Sequence, residues 1–295
     1  MTTIKKSDLV LSLGQRLLLL LCIFLICYLL TMGSAYIIGR ALGSNPAAAI
    51  RITTVIQDLM TFIVPAVATA VFVTRRPADL LCLTRSPRIV FFIGILAILV
   101  VSIPVQEAII YWNHNITLPQ SMSAFENAAR TMENSAFQAM ATLLSDTSVP
   151  ALAVNILIIG ILAGLSEELL FRGCFQRLLT TGGVNRHVAI WTVAICFSAL
   201  HFQLFGFVPR ILLGAYFGYL LLWSGSLWAP VTAHVLNNIL FVATAFRNVR
   251  TEGITSLSNE PSLWSWESTA VSFVITAAVI WWLYRSRIGN TAGGK

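Results

Sequence analysis

Long apolar stretches alternate with short polar connections along most of the chain. A helix needs about 20 apolar residues to cross the hydrocarbon core of a bilayer, and eight stretches come close to or reach that length. They cover residues 17–39, 53–74, 89–111, 150–171, 188–205, 208–224, 227–246 and 267–285. The pattern predicts an all-α fold, a polytopic membrane helix bundle with about eight transmembrane helices.

Two of the connections have a predictable form. The fourth helix is expected to continue past Arg172 through Phe175 and Leu178, and to stop at Thr180-Thr-Gly-Gly183. Only Ser224-Gly-Ser226 separates the sixth stretch from the seventh, which predicts a tight helical hairpin.

The apolar stretches also suggest three regions. Residues 1–149 are expected to form an N-terminal membrane region with three spans and an outer loop. Residues 150–246 would form a core with four spans, and residues 247–295 an outer loop, a last span and a cytoplasmic tail. The segment 120–147 has apolar residues at helical spacing, which leaves two alternatives: an amphipathic helix on the outer interface or a plain loop.

The composition agrees with a membrane protein. Hydrophobic residues make up 57% of the chain and charged residues only 11%, whereas soluble domains carry about 25% charged residues. The net charge of +7 does not indicate nucleic-acid binding, because the basic residues lie in short clusters beside apolar stretches. The five cysteines show no CxxC spacing and are interpreted as small buried apolar residues.

Basic residues predict the orientation in the membrane, since cytoplasmic loops are enriched in Lys and Arg. With eight alternating spans, four basic segments fall on one side: Lys5, Lys6 and Arg16; Arg75, Arg76, Arg85 and Arg88; Arg172, Arg177 and Arg186; Arg285, Arg287 and Lys295. Both termini are therefore expected in the cytoplasm of a bacterial cell, with the protein in the cytoplasmic (inner) membrane. The first apolar stretch is too long for a signal peptide and is predicted to be a retained span.

Two adjacent acidic residues, Glu167 and Glu168, interrupt the fourth apolar stretch. One carboxylate at bilayer depth costs about 2.5–3.5 kcal/mol, and such groups are functional by default. The structural alternative is an ion pair between Glu168 and Arg172, one helical turn apart. That alternative leaves Glu167 without a partner.

Two further predicted helices carry polar side chains within the apolar region. His201 lies near the end of the fifth stretch, and His234 and Asn238 share one face of the seventh. Buried polar groups must satisfy one another, so these side chains are expected to converge with the glutamates. A glutamate and a histidine can activate a water molecule, while a histidine and an amide can bind the oxyanion formed when water attacks a carbonyl. The same set contains a possible divalent metal site at Glu167, His201 and His234, with zinc as one candidate, although no HExxH motif is present.

The three motifs occur in the order Glu167-Glu168-Leu-Leu-Phe-Arg172, Phe197-Ser-Ala-Leu-His201 and His234-Val-Leu-Asn-Asn238. Over residues 150–246 this order resembles the CPBP family of intramembrane peptidases, also called the Abi family, which includes type II CAAX prenyl endopeptidases. The resemblance implies that Glu167 activates water with help from His201. It also implies that His234 and Asn238 hold the oxyanion and that Glu168 and Arg172 support the site. The family is often labelled metalloprotease, yet the prenyl endopeptidase branch is described as working without an essential metal.

We therefore expect an endopeptidase that cleaves a membrane-anchored or hydrophobic peptide within the lipid bilayer, without nucleic acid as a partner and with no cofactor firmly required. The alternative is a non-catalytic membrane scaffold or proton-coupled carrier that uses the same buried polar cluster. Asn238 distinguishes the two, because a proton relay does not need an amide donor one turn from His234. The fifth helix is expected to begin before His187 and the site to open towards the cytoplasm, because His201 would otherwise lie too deep.

Overall fold

Helices account for the regular structure in the computed structural model, which describes residues 8–253 and 264–288 and contains no strand within them. In chain order the principal helices are α1 (Leu13–Ala41), α2 (Pro46–Val73), α3 (Ile89–Val101), α4 (Ile103–His114), α5 (Ser123–Leu144), α6 (Val149–Thr181), α7 (Arg186–Ala199), α8 (Phe207–Ser224), α9 (Trp228–Glu252) and α10 (Trp266–Ile288). The predicted all-α polytopic membrane bundle is confirmed.

The number of full-length spans is lower than the eight expected. Among the described residues, α1, α2, α6, α9 and α10 are long and apolar enough to cross a membrane, as is α8 together with the turn before it. Helices α3 and α4 form a seventh span if they are counted together. The predicted fifth span fails because α7 has only 14 residues, a length of about 21 Å at a rise of about 1.5 Å per residue.

The predicted third span is bent rather than straight. Its two halves, α3 and α4, meet at an angle of 56°. Pro104 stands at the start of α4, where a proline ring blocks the helical hydrogen bond of a continuous helix. The Ser102 backbone N–H and hydroxyl both donate to the carbonyl of Ile98, at 3.0 and 2.5 Å, so the last turn of α3 is closed before the bend.

Three local predictions are confirmed. Helix α6 continues to Thr181 and ends where Gly183 adopts a φ of +97°. Helices α8 and α9 form a hairpin whose turn contains Gly225 at a φ of +66°, a backbone conformation that glycine adopts without steric cost. Helix α7 begins at Arg186, directly before His187.

The segment 120–147 is a helix over most of its length rather than a plain loop. Helix α5 packs against Leu204–Gly206, the last part of the connection between α7 and α8. The backbone N–H of Phe205 donates to Glu133 Oε2 at 3.2 Å, and the Arg130 guanidinium lies 4.2 Å from the centre of the Phe205 ring. Helix α5 therefore holds the end of the connection that begins with His201.

The basic segments of the described chain meet at one end of the bundle. Arg88 Nη1 donates to the carbonyl of Ser286 at 2.9 Å, which joins the start of α3 to the end of α10. A cavity at the same end is lined by Asp79, Arg177 and Gly225. We call this region, formed by residues 74–88, 177–187, 224–228 and 284–287, the basic end. Lys5, Lys6 and Lys295 lie outside the described residues.

All five cysteines are free thiols. Cys27, Cys82 and Cys174 are buried, as expected, whereas Cys196 is half-buried and Cys22 is exposed. Cys22 is exposed because it lies on α1, and many apolar side chains of this helix face away from the rest of the protein.

Candidate active site

Two glycines of α6 allow α6 and α9 to approach closely. Gly164 of α6 faces Val235 of α9, and an added Cβ would lie 2.9 Å from the Val235 Cγ2 atom. One turn earlier, a Cβ on Gly160 would lie 2.9 Å from a side-chain carbon of Ile239. Small residues four apart are a common way to bring membrane helices together. This contact places α9 beside the glutamates of α6.

Glu168 is fully buried and bonded on both sides. Its Oε1 atom accepts a hydrogen bond from Arg172 Nη1 at 2.6 Å and lies 2.8 Å from His234 Nδ1. Neither the Glu168 nor the Arg172 side chain has any exposed area. A buried carboxylate is tolerated when such partners compensate its charge. The predicted contact between Glu168 and Arg172 is thus present, and His234 joins it from another helix.

Aromatic rings surround the Arg172 guanidinium. Its Cζ atom lies 4.6 Å from the centre of the Phe197 ring and 5.4 Å from that of Phe217. These distances fall within the range of cation–π attraction. Arg172 Nη2 also donates to the carbonyl of Gly214 at 3.0 Å. An added Cβ on Gly214 would lie 3.1 Å from that same nitrogen, so glycine leaves the room that the guanidinium needs.

Glu167 has a different environment from its neighbour. Its side chain is 15% exposed, and its Oε2 atom lies 3.7 Å from His234 Nε2. The Glu167 carboxylate is also close enough to interact electrostatically with His201, Arg210 and Asp58. Helix α6 therefore carries one carboxylate that is fully buried, with Oε1 bonded and Oε2 without a partner in the described chain, and a second carboxylate that remains accessible.

The hydrogen bonds of the two histidines indicate which ring nitrogen is available. His201 Nδ1 lies 2.8 Å from the carbonyl of Phe197, and a carbonyl only accepts, so Nδ1 carries the proton. In the neutral ring Nε2 is then the acceptor. For His234, Nδ1 faces the Glu168 carboxylate, so its Nε2, which faces Glu167, donates only when the ring carries both protons.

Asn238 lies one turn after His234 and contacts α6. Its Nδ2 atom donates to the carbonyl of Ile159 at 3.1 Å. That carbonyl belongs to a π-helical segment of α6, Ile156–Leu162, where the regular α-helical hydrogen bonds are interrupted. One of the two amide hydrogens is therefore used between helices, and no described hydrogen bond involves the other.

Two further charged residues, one buried and one half-buried, belong to the same cluster and were not identified from the sequence. Asp58, in a π-helical segment of α2, is 2% exposed, and its Oδ1 lies 3.2 Å from the Ser166 hydroxyl. Arg210 Nη2 donates to Gln203 Oε1 at 2.5 Å, and its Nη1 is buried with no hydrogen-bond partner in the described chain. Each is a charged side chain inside a predicted apolar stretch, which is the signal that could have revealed both.

The arrangement does not fit a metal ion at the expected ligands. Glu167, His201 and His234 were the candidate ligands, but no three His, Cys, Asp or Glu side chains of the described chain are grouped closely enough to hold one. His234 Nδ1 and His201 Nδ1 are also engaged by Glu168 and by a backbone carbonyl. We therefore derive no step through a metal.

Comparisons with known proteins address the region that contains these motifs. Residues 149–240 match the model of the Rce1-like family, described as type II CAAX prenyl endopeptidase Rce1-like. An uncharacterized protein of Bacillus subtilis (strain 168), YpbD, is 29% identical over 113 residues, which are 37% of this chain and 53% of YpbD. The chain thus spans about half the length of this curated relative, and no solved structure matches. The resemblance indicated by the three motifs is confirmed over residues 149–240, where this chain is similar to the Rce1-like family of type II CAAX prenyl endopeptidases.

Proposed function

We propose that this integral membrane protein is an endopeptidase that hydrolyses a peptide bond of a membrane-anchored or hydrophobic peptide. One observation carries the proposal: Glu167 is the accessible member of a glutamate pair, and His234 Nε2 lies only 3.7 Å from it. An accessible carboxylate beside imidazole nitrogens is suited to take a proton from water. The similarity to a family of endopeptidases supports the same reaction.

In the proposed reaction Glu167 removes a proton from a water molecule that attacks the carbonyl carbon of the peptide bond. His201 assists through Nε2, which is the free acceptor of its ring. The oxyanion that forms is bound by the unused amide hydrogen of Asn238 and by the His234 ring. Glu167 then delivers its proton to the leaving amine, the C–N bond breaks, and the carboxyl product and the amine product separate.

Glu168 and Arg172 have a supporting role in this scheme. Arg172 fixes the Glu168 carboxylate at 2.6 Å, and Glu168 in turn fixes His234 Nδ1 at 2.8 Å. An imidazole ring that a second residue already holds in one orientation has less orientational freedom to lose when the reaction occurs. The two residues thereby aim His234 Nε2 towards Glu167.

Cleavage of membrane-anchored peptides by the purified protein tests the proposal. His201→Ala and Asn238→Ala should each slow turnover, the latter by about 10²–10³-fold because one oxyanion donor is lost. Glu252→Gln, at the exposed end of α9, is a matched control and should retain the wild-type rate. A wild-type protein that cleaves no peptide of a broad panel would contradict the proposal.

A chelator added to the wild-type assay tests the metal separately. We propose that no metal is required, so turnover should be unchanged after chelation and dialysis. A loss of turnover that zinc restores would show that the reaction needs a divalent metal.

One contact favours the alternative of a non-catalytic scaffold. The bond from Asn238 Nδ2 to the Ile159 carbonyl at 3.1 Å pins α9 to α6, which is a structural task. If Asn238 only joins the helices, Asn238→Ala should lower stability in detergent without a specific loss of turnover. An oxyanion role requires a loss of turnover in protein that remains folded.

Orientation and location are part of the same proposal. We place the basic end in the cytoplasm of a bacterial cell, because basic loops are retained on that side, and we expect the site to open in that direction. Labelling of Arg75→Cys by a membrane-impermeant thiol reagent in intact and opened cells tests this orientation, in a background without the exposed Cys22. Labelling in intact cells would contradict it.

A further inference from the structure

A cavity of about 560 Å³ lies at the basic end, apart from the glutamate cluster. Its lining includes three arginines, Arg85, Arg177 and Arg186, and one acidic residue, Asp79. A second cavity of about 430 Å³ shares Arg186 with the first and adds Arg287. The two cavities of the basic end therefore lie where its arginines are concentrated.

The one carboxylate in the lining is already neutralised. Asp79 Oδ2 pairs with Arg76 Nη2 at 2.6 Å, and its Oδ1 accepts from the Thr84 hydroxyl at 2.7 Å. None of the three lining arginines has a described carboxylate within ion-pair distance. Asp79 interacts with Arg85 only at longer range and already pairs with Arg76, so most of the positive charge of the three arginines is not compensated by the described protein groups.

A hydrogen bond positions one of these arginines, and a second lies close to the backbone. Arg177 Nε donates to the carbonyl of Leu80 at 3.2 Å, which leaves its two terminal nitrogens for another partner. The Arg85 guanidinium lies over Gly225, where an added Cβ would be 3.4 Å from Nη1. Arginine binds phosphate through such a fixed planar group. Arg186 completes the set from the start of α7, a helix terminus that also favours an anion.

Three residues that line the cavity, Gln176, Thr180 and Thr181, carry hydrogen-bond acceptors. Gln176 is 3% exposed, its Nε2 donates to the Gly218 carbonyl at 3.1 Å, and its Oε1 is buried without a partner in the described chain. The Thr180 and Thr181 hydroxyls donate to carbonyls of their own helix at 3.0 and 2.6 Å. A group that enters between the arginines and bonds to these acceptors must supply a donor such as a hydroxyl.

An apolar surface continues from this site along the bundle. Val188, Trp191 and Ile195 lie on α7, directly after Arg186, and are 56%, 41% and 47% exposed. Their spacing of three to four residues places them on one face of the helix. An acyl chain attached to a group in the cavity would have an apolar path beside α7.

We propose that this cavity binds the phosphodiester of an anionic membrane lipid whose headgroup carries a hydroxyl. The arginines bind the phosphate oxygens, the headgroup hydroxyl donates to Gln176 Oε1, and an acyl chain follows the exposed face of α7. Two helix C-termini, those of α6 and α8, also reach the cavity and disfavour an anion. Three guanidinium charges, of which only that of Arg85 is weakly compensated by Asp79, outweigh these partial charges. Basic pockets between membrane helices are known to bind anionic headgroups.

Thermal denaturation of the purified full chain in detergent tests the proposal. Added phosphatidylglycerol should raise the denaturation midpoint more than phosphatidylcholine with the same acyl chains. Phosphatidylethanol, an anionic phosphodiester without a headgroup hydroxyl, should stabilise less than phosphatidylglycerol. Equal stabilisation by phosphatidylglycerol and phosphatidylcholine would overturn the site, and equal stabilisation by phosphatidylethanol would overturn the contact with Gln176.

Two variants locate the effect. The double variant Arg85→Gln/Arg186→Gln should need at least tenfold more phosphatidylglycerol for half of the wild-type shift. Arg75→Gln removes one exposed charge at the same end without touching the cavity, so it should respond like the wild type. An unchanged response in the double variant would overturn the proposal. Inorganic phosphate or glycerol phosphate at the same concentration should have no effect, and an effect equal to that of the lipid would assign the site to a soluble anion.

Discussion

The substitution Arg172→Met tests how strongly the buried ion pair stabilises the fold. It removes the guanidinium that lies 2.6 Å from Glu168 Oε1 and leaves that carboxylate fully buried with His234 as its remaining partner. Removal of one member of a buried ion pair costs about 3–5 kcal/mol, because the other charge stays desolvated. The loss of ring contacts with Phe197 and Phe217 adds to this cost.

Equilibrium unfolding of the purified protein in detergent, titrated with a denaturant, measures this loss. The double variant Glu168→Gln/Arg172→Met removes both charges and keeps an acceptor for His234 Nδ1. We expect it to recover at least half of the lost free energy of unfolding, since a neutral replacement of a buried pair is often close to neutral. Arg75→Met, an exposed position, controls for the change of residue type and should change stability by less than about 0.5 kcal/mol.

Two results would refute this reasoning. If Arg172→Met were as stable as the wild type, Glu168 would not depend on Arg172 for its burial. If the double variant were less stable than Arg172→Met, the desolvated charge on Glu168 would not be the source of the loss. Arg172→Lys adds a finer comparison, because lysine keeps the charge but cannot donate in the planar geometry that reaches both Glu168 and Gly214. We expect the stability of Arg172→Lys to lie between that of the wild type and that of Arg172→Met.

Three further substitutions have consequences for stability in the same unfolding assay. Gly214→Ala places a Cβ 3.1 Å from Arg172 Nη2 and should cost roughly 1–3 kcal/mol through overpacking. Gly94→Ala places a Cβ 2.5 Å from a methyl carbon of the fully buried Leu283 and should cost a similar amount, roughly 1–3 kcal/mol. Asp58→Asn removes a buried charge close to Glu167 and should leave the protein from zero to about 2 kcal/mol more stable.

Matched substitutions serve as controls for these three. Gly33→Ala adds a methyl group in α1 where nothing lies within 4 Å, so it should be neutral or slightly stabilising, because alanine favours a helix. Asp79→Asn removes a partly exposed carboxylate that is bonded to Arg76 and Thr84, and it should lower stability by up to about 1 kcal/mol. The close-packing argument fails if Gly214→Ala behaves like Gly33→Ala. The argument for a buried uncompensated charge fails if Asp58→Asn destabilises more than Asp79→Asn.

The sequence predicted the helices well because the apolar stretches are long and the connections carry strong stop signals. Gly183 and Gly225 both take positive φ values at the turns where they were expected to end helices. Two helices differ from the prediction because a stretch of apolar residues does not show where a helix ends or bends within it. The apolar pattern runs on through 188–205, yet α7 ends at Ala199, and the pattern is unbroken across Pro104, where the chain bends.

The site could be predicted in part, from charged and polar groups in apolar stretches. That signal identified Glu168, Arg172 and His234, which the structure places in one hydrogen-bonded group. It applies equally to Asp58 and Arg210, but each of these stands alone in its stretch without a recognisable motif. Their proximity to the glutamates depends on how α2 and α8 pack against α6, which no local pattern specifies.

The close approach of the helices at the site was also not predicted from the sequence. Gly160 and Gly164 form a small-residue pattern on α6, and Gly214 and Gly218 form a second one on α8. Such patterns indicate which helix faces can come together. They do not indicate the partner, so the contact of Gly164 with Val235, which sets the position of His234, required the structure.

The rate of peptide cleavage by Glu167→Gln tests the central claim most directly. Glutamine keeps the size of the side chain but cannot accept a proton from water, and loss of a general base commonly slows a reaction by about 10²–10⁴-fold. We predict a loss of this size in a protein whose thermal denaturation matches the wild type, with Glu252→Gln as active as the wild type. Cleavage by Glu167→Gln at the rate of Glu252→Gln would contradict the assignment of Glu167 as the residue that activates water.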